Sequence, residues 1–227
     1  GNIPFSKINY TEKDVGEHTY TIKEVIPDPK EEGMTYDGMT LTFTVAVSDK
    51  GGGVLEAVLK EIPVDTVFNN AYKADGSFDP DDAKAGLDPQ KELTGRALKD
   101  QEFSFTLHKG ATLIETVKNT ADGNIPFSKI NYTEKDVGEH TYTIREVIPD
   151  PKEAGMTYDG MTLTFTVVVS DKGGGVLEAV LKEIPADKVF NNTYKADGSF
   201  DPDDAKAGLD PRKELAGRTL KDQEFSF

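Results

Sequence analysis

An internal repeat is the feature that most constrains what this chain of 227 residues can fold into. Residues 1–105 recur as residues 123–227 at a fixed offset of 122 with nine differences, among them Lys23/Arg145 and Ala71/Thr193. A unit of this length is too long for one solenoid repeat and is typical of an autonomous domain with its connection. The sequence therefore predicts tandem copies of one small domain. Near-identical copies favour a part that adds length over one that adds a new site.

The repeat is cut out of phase with the predicted domain. Gly, Pro, Asp and Ser concentrate after residue 72 and again after residue 194, which predicts connections there. We expect five parts: 1–72 as the C-terminal part of one module, 73–84 as a linker, 85–196 as a complete module, 197–208 as a second linker, and 209–227 as the first strand of the next module.

The charge balance excludes several classes of partner. The chain has 26 Lys and Arg against 41 Asp and Glu, a net charge of -15. It therefore lacks the positive charge with which proteins bind nucleic-acid phosphates or anionic membranes. It has no Cys and three His, which excludes disulfides and thiolate chemistry and argues against a histidine metal site. We expect no cofactor, no nucleic acid and no membrane insertion in this segment.

The acidic run 75–82 is the one candidate for calcium. It lacks the central Gly and the terminal Glu that an EF-hand loop requires. A solvated linker is therefore the preferred interpretation, with calcium stiffening as the alternative.

Alternation of apolar and polar residues predicts strands along most of the repeat. The apolar phases are Leu163, Phe165, Val167 and Val169; Tyr142, Ile144 and Ile148; and Phe103, Phe105 and Leu107. Residues 176–184 fit either a short helix or a strand after the triple glycine, and we favour the strand. Seven or eight short strands with frequent turn signals predict an all-β fold of immunoglobulin-like β-sandwich modules in tandem.

Three polar residues share the phase of the apolar residues in their strands. They are Lys91 in the first strand, Glu146 in a middle strand and Asn192 in the last, while the neighbouring Asn191 faces the other way. Burying an unpaired polar group costs roughly 2 to 7 kcal/mol, and burying a charge costs more. We therefore expect the three side chains to lie together, with Asn191 as the alternative to Asn192.

An amine, a carboxamide and a carboxyl group in a dry pocket form a reactive set. Burial favours the neutral amine and the neutral acid. The amine of Lys91 could then attack the side-chain carbonyl carbon of Asn192, while Glu146 polarises the carbonyl oxygen and moves protons until ammonia leaves. Contact between the partners supplies an effective molarity that reaches about 10⁵ M or more. The predicted product is a Lys–Asn isopeptide crosslink, formed once without a cofactor.

Four motifs in this order resemble one protein family. They are Lys91-Glu-Leu-Thr-Gly-Arg96, Tyr142-Thr-Ile-Arg-Glu146, Gly155-Met-Thr-Tyr-Asp159 and Phe190-Asn-Asn-Thr-Tyr194. Over the whole repeat the set is similar to the pilin isopeptide-linkage domain of streptococcal-type major pilins, which is related to CnaB-like sandwiches. The resemblance implies that the Lys of the first motif bonds to the Asn of the last, with the Glu of the second as catalyst. Pro89 departs from a regular ladder and predicts an edge position or late entry for the first strand.

The outer pieces hold incomplete versions of this set. Glu24 and Asn70 correspond to the catalyst and the acceptor but have no Lys strand in their piece, and Lys213 has neither a Glu nor an Asn partner in its own. Either the chain is part of a longer array, or Lys213 of one molecule pairs with Asn70 of the next. We favour the first, because a joined pair would lack the hairpin equivalent to residues 106–122.

These expectations describe a structural protein. The resemblance implies a load-bearing stalk or fibre element on a Gram-positive-type cell surface, extracellular and in contact with neighbouring copies of the same repeat. The alternative is an adhesin module whose faces or loops bind a host protein or glycan. A turnover enzyme is not expected, because no open catalytic constellation is present in the sequence.

Overall fold

The computed structural model describes residues 1–202, 208 and 211–226, and its regular elements are almost all strands. No helix in these ranges is long and apolar enough to span a membrane. The predicted all-β class is confirmed. The strands are β1 (Gly16–Lys23), β2 (Met34–Thr35), β3 (Thr40–Asp49), β4 (Leu55–Leu59), β5 (Ala71–Tyr72), β6 (Asp75–Phe78), β7 (Gln90–Thr94), β8 (Ser104–Lys109), β9 (Thr112–Lys118), β10 (Ile130–Thr133), β11 (Gly138–Glu146), β12 (Met156–Thr157), β13 (Thr162–Asp171), β14 (Leu177–Leu181) and β15 (Val189–Tyr194). Short 3₁₀ helices cover Glu12–Asp14, Ala83–Ala85 and Glu134–Asp136.

The complete module is a sandwich of two sheets. The larger sheet has the strand order β14-β13-β11-β8-β9, and the smaller has the order β12-β15-β7. Neighbouring strands are antiparallel except β15 and β7, which run parallel with Lys91 opposite Phe190 and Leu93 opposite Asn192. This arrangement is the predicted immunoglobulin-like sandwich. It makes the first and last strands of the predicted module 85–196 direct neighbours.

The inward-facing apolar side chains of the alternating strands fill the space between the two sheets, as the sequence predicts. The inward residues of β13 are at most 3% exposed, and rings from the two sheets meet where Phe105 and Phe190 lie 5.1 Å apart. Each fully buried Leu, Val or Phe side chain contributes about 1.5–3 kcal/mol relative to an exposed one. The core residues are Phe78, Leu87, Phe103, Phe105, Leu107, Ile125, Phe127, Tyr132, Tyr142, Ile144, Leu163, Phe165, Val167, Val169, Leu177 and Phe190, with smaller contributions from Ala74 and Met156.

Two details of the strand prediction are decided by the structure. Residues 177–181 form β14, which pairs with β13, so the strand interpretation of 176–184 is right. The prediction for Ile148 is wrong, because that side chain is 38% exposed. Strand β11 ends at Glu146, and alternation no longer fixes the side-chain direction beyond that residue.

Residues 1–72 repeat the later strands of the module without its first ones. They form a sheet of order β1-β3-β4 and a two-stranded sheet of β2 and β5. The apolar side chains that are buried beside β7 and β8 in the complete module are exposed to solvent in this part of the chain. Ile3 and Phe5 are 55% and 66% exposed, whereas their counterparts Ile125 and Phe127 are 0% and 3% exposed.

The stretch 73–84 is not a solvated linker throughout. Residues 75–78 form β6, which pairs antiparallel with β10, and both Ala74 and Phe78 belong to the buried core of the module. The expectation of a solvated connection is therefore wrong for this part of the segment. A strand was not predicted because Asp, Gly and Ser are poor strand formers, and the partner strand lies far along the chain.

The second predicted linker, 197–208, and the predicted strand at 209–227 are only partly described, since residues 203–207, 209–210 and 227 lie outside the described residues. Residues 211–226 contain turns and bends and no strand. The module bounds stay a prediction.

Candidate functional site

The three polar residues selected by alternation lie inside the complete module. Lys91 and Asn192 project from the neighbouring strands β7 and β15, and Glu146 projects from the end of β11 in the opposing sheet. Their residues are 2%, 1% and 8% exposed, respectively. All three side chains point into the core, which is the direction given by strand alternation, and their part in a crosslink stays a prediction.

The Glu146 carboxylate contacts both nitrogen atoms of the set. Lys91 Nζ donates a hydrogen bond to Glu146 Oε2 at 2.8 Å, and Asn192 Nδ2 donates to Glu146 Oε1 at 2.6 Å. The side chains of Lys91 and Glu146 are fully shielded from solvent. One carboxylate therefore holds an amine and a carboxamide side by side in a dry environment.

The surroundings of Lys91 favour its neutral form. Burial lowers the pKa of the Lys91 amine, and the hydrogen bond and charge of Glu146 oppose this effect only in part. Lys91 Nζ also lies 4.6 Å from the centroid of the Phe103 ring. Transfer of one proton within the pair gives a neutral amine and a neutral acid without leaving an isolated charge in the core.

The carbonyl oxygen of Asn192 has a partner that sequence reasoning missed. The backbone N–H of Asp159 donates to Asn192 Oδ1 at 2.8 Å. The expectation that Glu146 polarises this oxygen is therefore wrong for this arrangement, since Glu146 contacts the amide nitrogen. A backbone donor leaves no signature in residue identity, although the Gly155–Asp159 motif marked the right loop.

The Asp159 side chain fixes the position of its own backbone. Asp159 Oδ1 accepts from the backbone N–H of Met161 at 2.9 Å, and Oδ2 accepts from that of Asn191 at 2.8 Å. The Asn191 side chain is directed elsewhere, because its Nδ2 donates to the carbonyl of Val189. Asn192, and not Asn191, lies in the site.

The first and last motifs contact one another across the β7–β15 pair. The guanidinium of Arg96 lies 4.9 Å from the Tyr194 ring centroid and forms an ion pair with Glu102. Gly95 has φ +98°, and a Cβ there would lie 1.9 Å from the carbonyl oxygen of Tyr194. The contacts of Gly95 and Arg96 with Tyr194 therefore join the ends of the two strands.

Residues 1–72 contain the same acceptor arrangement without an amine. Asn70 Nδ2 donates to Glu24 Oε1 at 2.6 Å, and the backbone N–H of Asp37 donates to Asn70 Oδ1 at 2.9 Å. Glu24 Oε2 is buried and has no hydrogen-bond partner in the described part of the chain. In the complete module the corresponding oxygen binds Lys91.

Lys213 is exposed, and its Nζ lies 4.8 Å from the centroid of the Phe225 ring. This contact reproduces that of Lys91 with Phe103. No contact of Lys213 with Glu24 or Asn70 is found within residues 1–202, 208 and 211–226. The structure thus brings Lys91, Glu146 and Asn192 together and leaves Lys213 apart from Glu24 and Asn70.

The acidic run 75–82 does not form a metal centre in the residues described. Among them, no group of three or more His, Cys, Asp or Glu side chains is arranged to hold a metal ion. The Asp79 carboxylate instead faces Lys129 Nζ at 3.8 Å.

Comparison with known proteins identifies the family of the repeat. The model of the FctA family, the Spy0128-like isopeptide containing domain, matches residues 2–73 and 87–195. The two matches cover well over half of the chain and follow the repeat. No curated protein matches the sequence. The chain belongs to this family of pilus-type structural domains.

Proposed function

We propose that this member of the isopeptide-containing pilin family joins Lys91 to Asn192 covalently and acts as a load-bearing repeat of a surface fibre. The observation that carries the proposal is the Glu146 carboxylate in hydrogen-bond contact with both the Lys91 amine and the Asn192 amide, at 2.8 and 2.6 Å. Structural roles alone rarely retain a buried Lys, Glu and Asn in one core, because burial of such groups is costly.

The reaction begins with a proton transfer from Lys91 Nζ to Glu146. The neutral amine attacks Asn192 Cγ, and the Nζ–Cγ bond forms while the carbonyl oxygen gains negative charge. Glu146 gives its proton to Asn192 Nδ2, the Cγ–Nδ2 bond breaks and ammonia leaves, and the Glu146 carboxylate takes up the second proton of the attacking amine, which leaves a neutral amide. Atoms balance as an amine plus a carboxamide giving an N-substituted amide plus one ammonia.

The Asp159 backbone N–H stabilises the charge that develops on Asn192 Oδ1. It lies 2.8 Å from that oxygen before reaction and is directed by the Asp159 side chain. A fixed donor at a developing oxyanion contributes on the order of 10²–10³ in rate where it has been removed from enzymes. Glu146 is therefore left free to move protons between the two nitrogen atoms.

The product closes a covalent loop of about 100 residues, from β7 to β15. Such a loop stabilises the folded state by roughly 4.7 kcal/mol in the chain-entropy account, comparable to the whole stability of a marginal domain, about 5–15 kcal/mol. Because β7 and β15 are neighbours at the two ends of the module, tension between those ends passes through the new bond. The sandwich between them carries no load.

The family match supports an extracellular location in a fibre on a Gram-positive cell surface, with neighbouring copies of the repeat as partners. The reaction occurs once per module and has no external substrate, so the chain is a structural protein and not a turnover enzyme. The acidic surface is compatible with such an exposed location.

Intact mass spectrometry of the folded chain tests the crosslink. We expect a mass one ammonia below the calculated value, and full mass in Lys91→Ala, Glu146→Ala and Asn192→Ala. The repeat offers matched controls, because Glu24→Ala and Asn70→Ala change identical sequence positions outside the complete site and must keep the deficit. Full mass in folded wild-type protein, or a deficit that survives Asn192→Ala, contradicts the proposal.

The same samples test pairing between chains. If Lys213 of one molecule reacts with Asn70 of another, denaturing gels show covalent multimers that disappear in Lys213→Ala. We expect monomers, because a module assembled from Lys213 of one molecule and residues 1–72 of another would lack the hairpin equivalent to β8 and β9.

A further inference from the structure

The segment that connects one repeat to the next is paired with the repeat that follows it. Strand β6 lies antiparallel to β10, with Phe78 opposite Ile130 and Asp75 opposite Thr133. On its other side, the backbone N–H of Asp75 donates to the carbonyl of Gly175 at 3.2 Å. The Phe78 ring packs in the core, 6.0 Å from the centroid of Phe165.

Gly76 allows this close approach. A Cβ at this position would lie 2.5 Å from the carbonyl oxygen of Leu177 and 2.8 Å from its Cβ. No larger residue fits without moving the backbone of β14. The sequence of the connection therefore suits a contact with the following module and not merely a flexible chain.

A second contact joins the bodies of the two repeats. Tyr72 Oη donates to Asp171 Oδ1 at 3.0 Å and accepts from the backbone N–H of Gly175 at 3.2 Å. Gly33 and Gly175 pack backbone to backbone, since a Cβ on Gly33 would lie 2.8 Å from the Cα of Gly175. Both glycines belong to the repeated sequence, so every copy carries both halves of this contact.

The second copy of the connection behaves differently. Residues 197–200 have the same sequence as 75–78 but form no strand, and Phe200 is 65% exposed where Phe78 is 2% exposed. A Cβ on Gly198 would meet no atom within 4 Å. The conformation of the segment thus follows from the module after it and not from its own sequence.

We propose that each repeat carries a docking surface for the end of the repeat before it, formed by β10, the turn 173–175 and Leu177. The partner is the preceding copy of the same repeat, which contributes its terminal Tyr and the strand after it. Consecutive repeats are then joined at a fixed angle, and an array built from them is stiff along its length. The inference goes beyond the crosslink and holds whether or not the Lys91–Asn192 bond forms.

Hydrogen exchange of the whole chain, followed by mass spectrometry, tests the docking. Peptides 71–78 and 193–200 differ at Ala71/Thr193, so the two copies are resolved. We expect the amides of 75–78 to exchange at least about tenfold more slowly than those of 197–200, because they are held in a ladder. Gly76→Ala must abolish that difference, whereas the matched control Gly198→Ala must not.

Tyr72→Phe tests the contact between the bodies. Loss of the hydroxyl leaves the Gly175 N–H without its acceptor, so exchange in a peptide covering 168–177 accelerates severalfold. The equivalent change Tyr194→Phe leaves that peptide unchanged. Peptides starting at Val168 are distinguished from the first copy, which has Ala46.

The ammonia deficit of each sample separates the two proposals. Gly76→Ala and Tyr72→Phe should retain the deficit, which shows that the module has folded and reacted. Equal exchange of 75–78 and 197–200 in the wild-type chain overturns the docking proposal whatever the mass. The docking proposal is also overturned if exchange of 75–78 is unchanged in Gly76→Ala and exchange of 168–177 is unchanged in Tyr72→Phe.

Discussion

The Glu146 carboxylate and the Asp159 backbone divide the proposed chemistry between them. Glu146 contacts the two nitrogen atoms, between which protons must move, and the Asp159 N–H contacts the oxygen, where negative charge must be held. A carboxylate placed at the oxygen would have to be protonated to help, whereas a backbone N–H needs no proton. This arrangement removes one protonation requirement from the reaction.

Asp159→Ala is expected to slow crosslinking without preventing it. The change removes the acceptors for Met161 and Asn191 N–H, so the loop no longer holds its own N–H against Asn192 Oδ1. Since the donor is loosened and not deleted, we expect a rate loss of about tenfold, below the 10²–10³ of a deleted donor. The measurement is the time course of ammonia loss by mass after cell-free synthesis.

Two variants make this result specific. Asp159→Asn keeps one acceptor oxygen for Met161 and should recover part of the rate. Asp37→Ala removes the equivalent carboxylate from residues 1–72 and should leave the rate unchanged. A wild-type rate in Asp159→Ala would show that the loop does not need its side chain to present the N–H.

For single residues, the direction of a side chain was predictable from the sequence, whereas a hydrogen bond donated by a backbone N–H was not. Alternation places Lys91, Glu146 and Asn192 inside because each is two residues from an apolar neighbour in a strand. The role of Asp159 depends on a peptide N–H that every residue except proline possesses. Only the folded loop shows where it points.

The parallel pairing of β7 with β15 brings the reacting side chains together. Most neighbours in the sandwich are antiparallel, but this pair runs in one direction with Lys91 opposite Phe190. Strand β7 begins immediately after Pro89 and forms the edge of its sheet, as that proline predicts. Register is critical, because a shift by one residue would turn Lys91 out of the core.

Gly95→Ala is expected to disturb this register. Its Cβ would lie 1.9 Å from the carbonyl oxygen of Tyr194 at a φ of +98°, so the end of β7 must move away from β15. Strain of this kind costs roughly 1–3 kcal/mol, and overpacking adds a similar amount. We expect the crosslinked fraction to fall and, in an Asn192→Ala background, the urea midpoint to decrease.

Gly217→Ala is the matched control. Gly217 has φ +92°, but a Cβ added there would meet no atom within 4 Å, so the variant shares the backbone strain without the clash. Its effect on the module should be within experimental error. If Gly95→Ala crosslinks fully and unfolds at the same urea concentration as its parent, the register is set elsewhere.

Elements defined by alternation were predictable, and β6 was not. Strands β11 and β13 alternate so regularly that their buried faces follow from the sequence, apart from Ile148 beyond the strand end. In β6 only Phe78 resembles a strand residue, and the pairing partner Thr133 of Asp75 lies in another part of the module. A segment whose structure is supplied by its neighbour carries little signal of its own.

For the whole molecule, the proposed crosslink and the docked connection lie in series. The covalent loop runs from Lys91 to Asn192, so residues 73–90, including β6, lie outside it. Their attachment depends on hydrogen bonds and on the burial of Phe78 and Leu87. Under tension along the chain, the non-covalent contacts of residues 73–90 should therefore break first, and the Lys91–Asn192 bond should then carry the load.

Pulling single chains by handles at residues 73 and 196 is expected to show this order. These positions exclude residues 1–72, which hold no crosslink and would add a long extension of their own. Detachment of residues 73–90 releases at most about 60 Å, since an extended chain spans roughly 3.3–3.6 Å per residue. The complete module should then resist further extension.

In Lys91→Ala the crosslink cannot form, and unfolding of the module should release several hundred ångströms of chain, on the order of 400 Å for one repeat. The short extension that comes from detachment of residues 73–90 should shrink or vanish in Gly76→Ala, whereas the crosslinked module should still resist extension. A long extension from a wild-type molecule with the ammonia deficit would show that force does not pass through the Lys91–Asn192 bond.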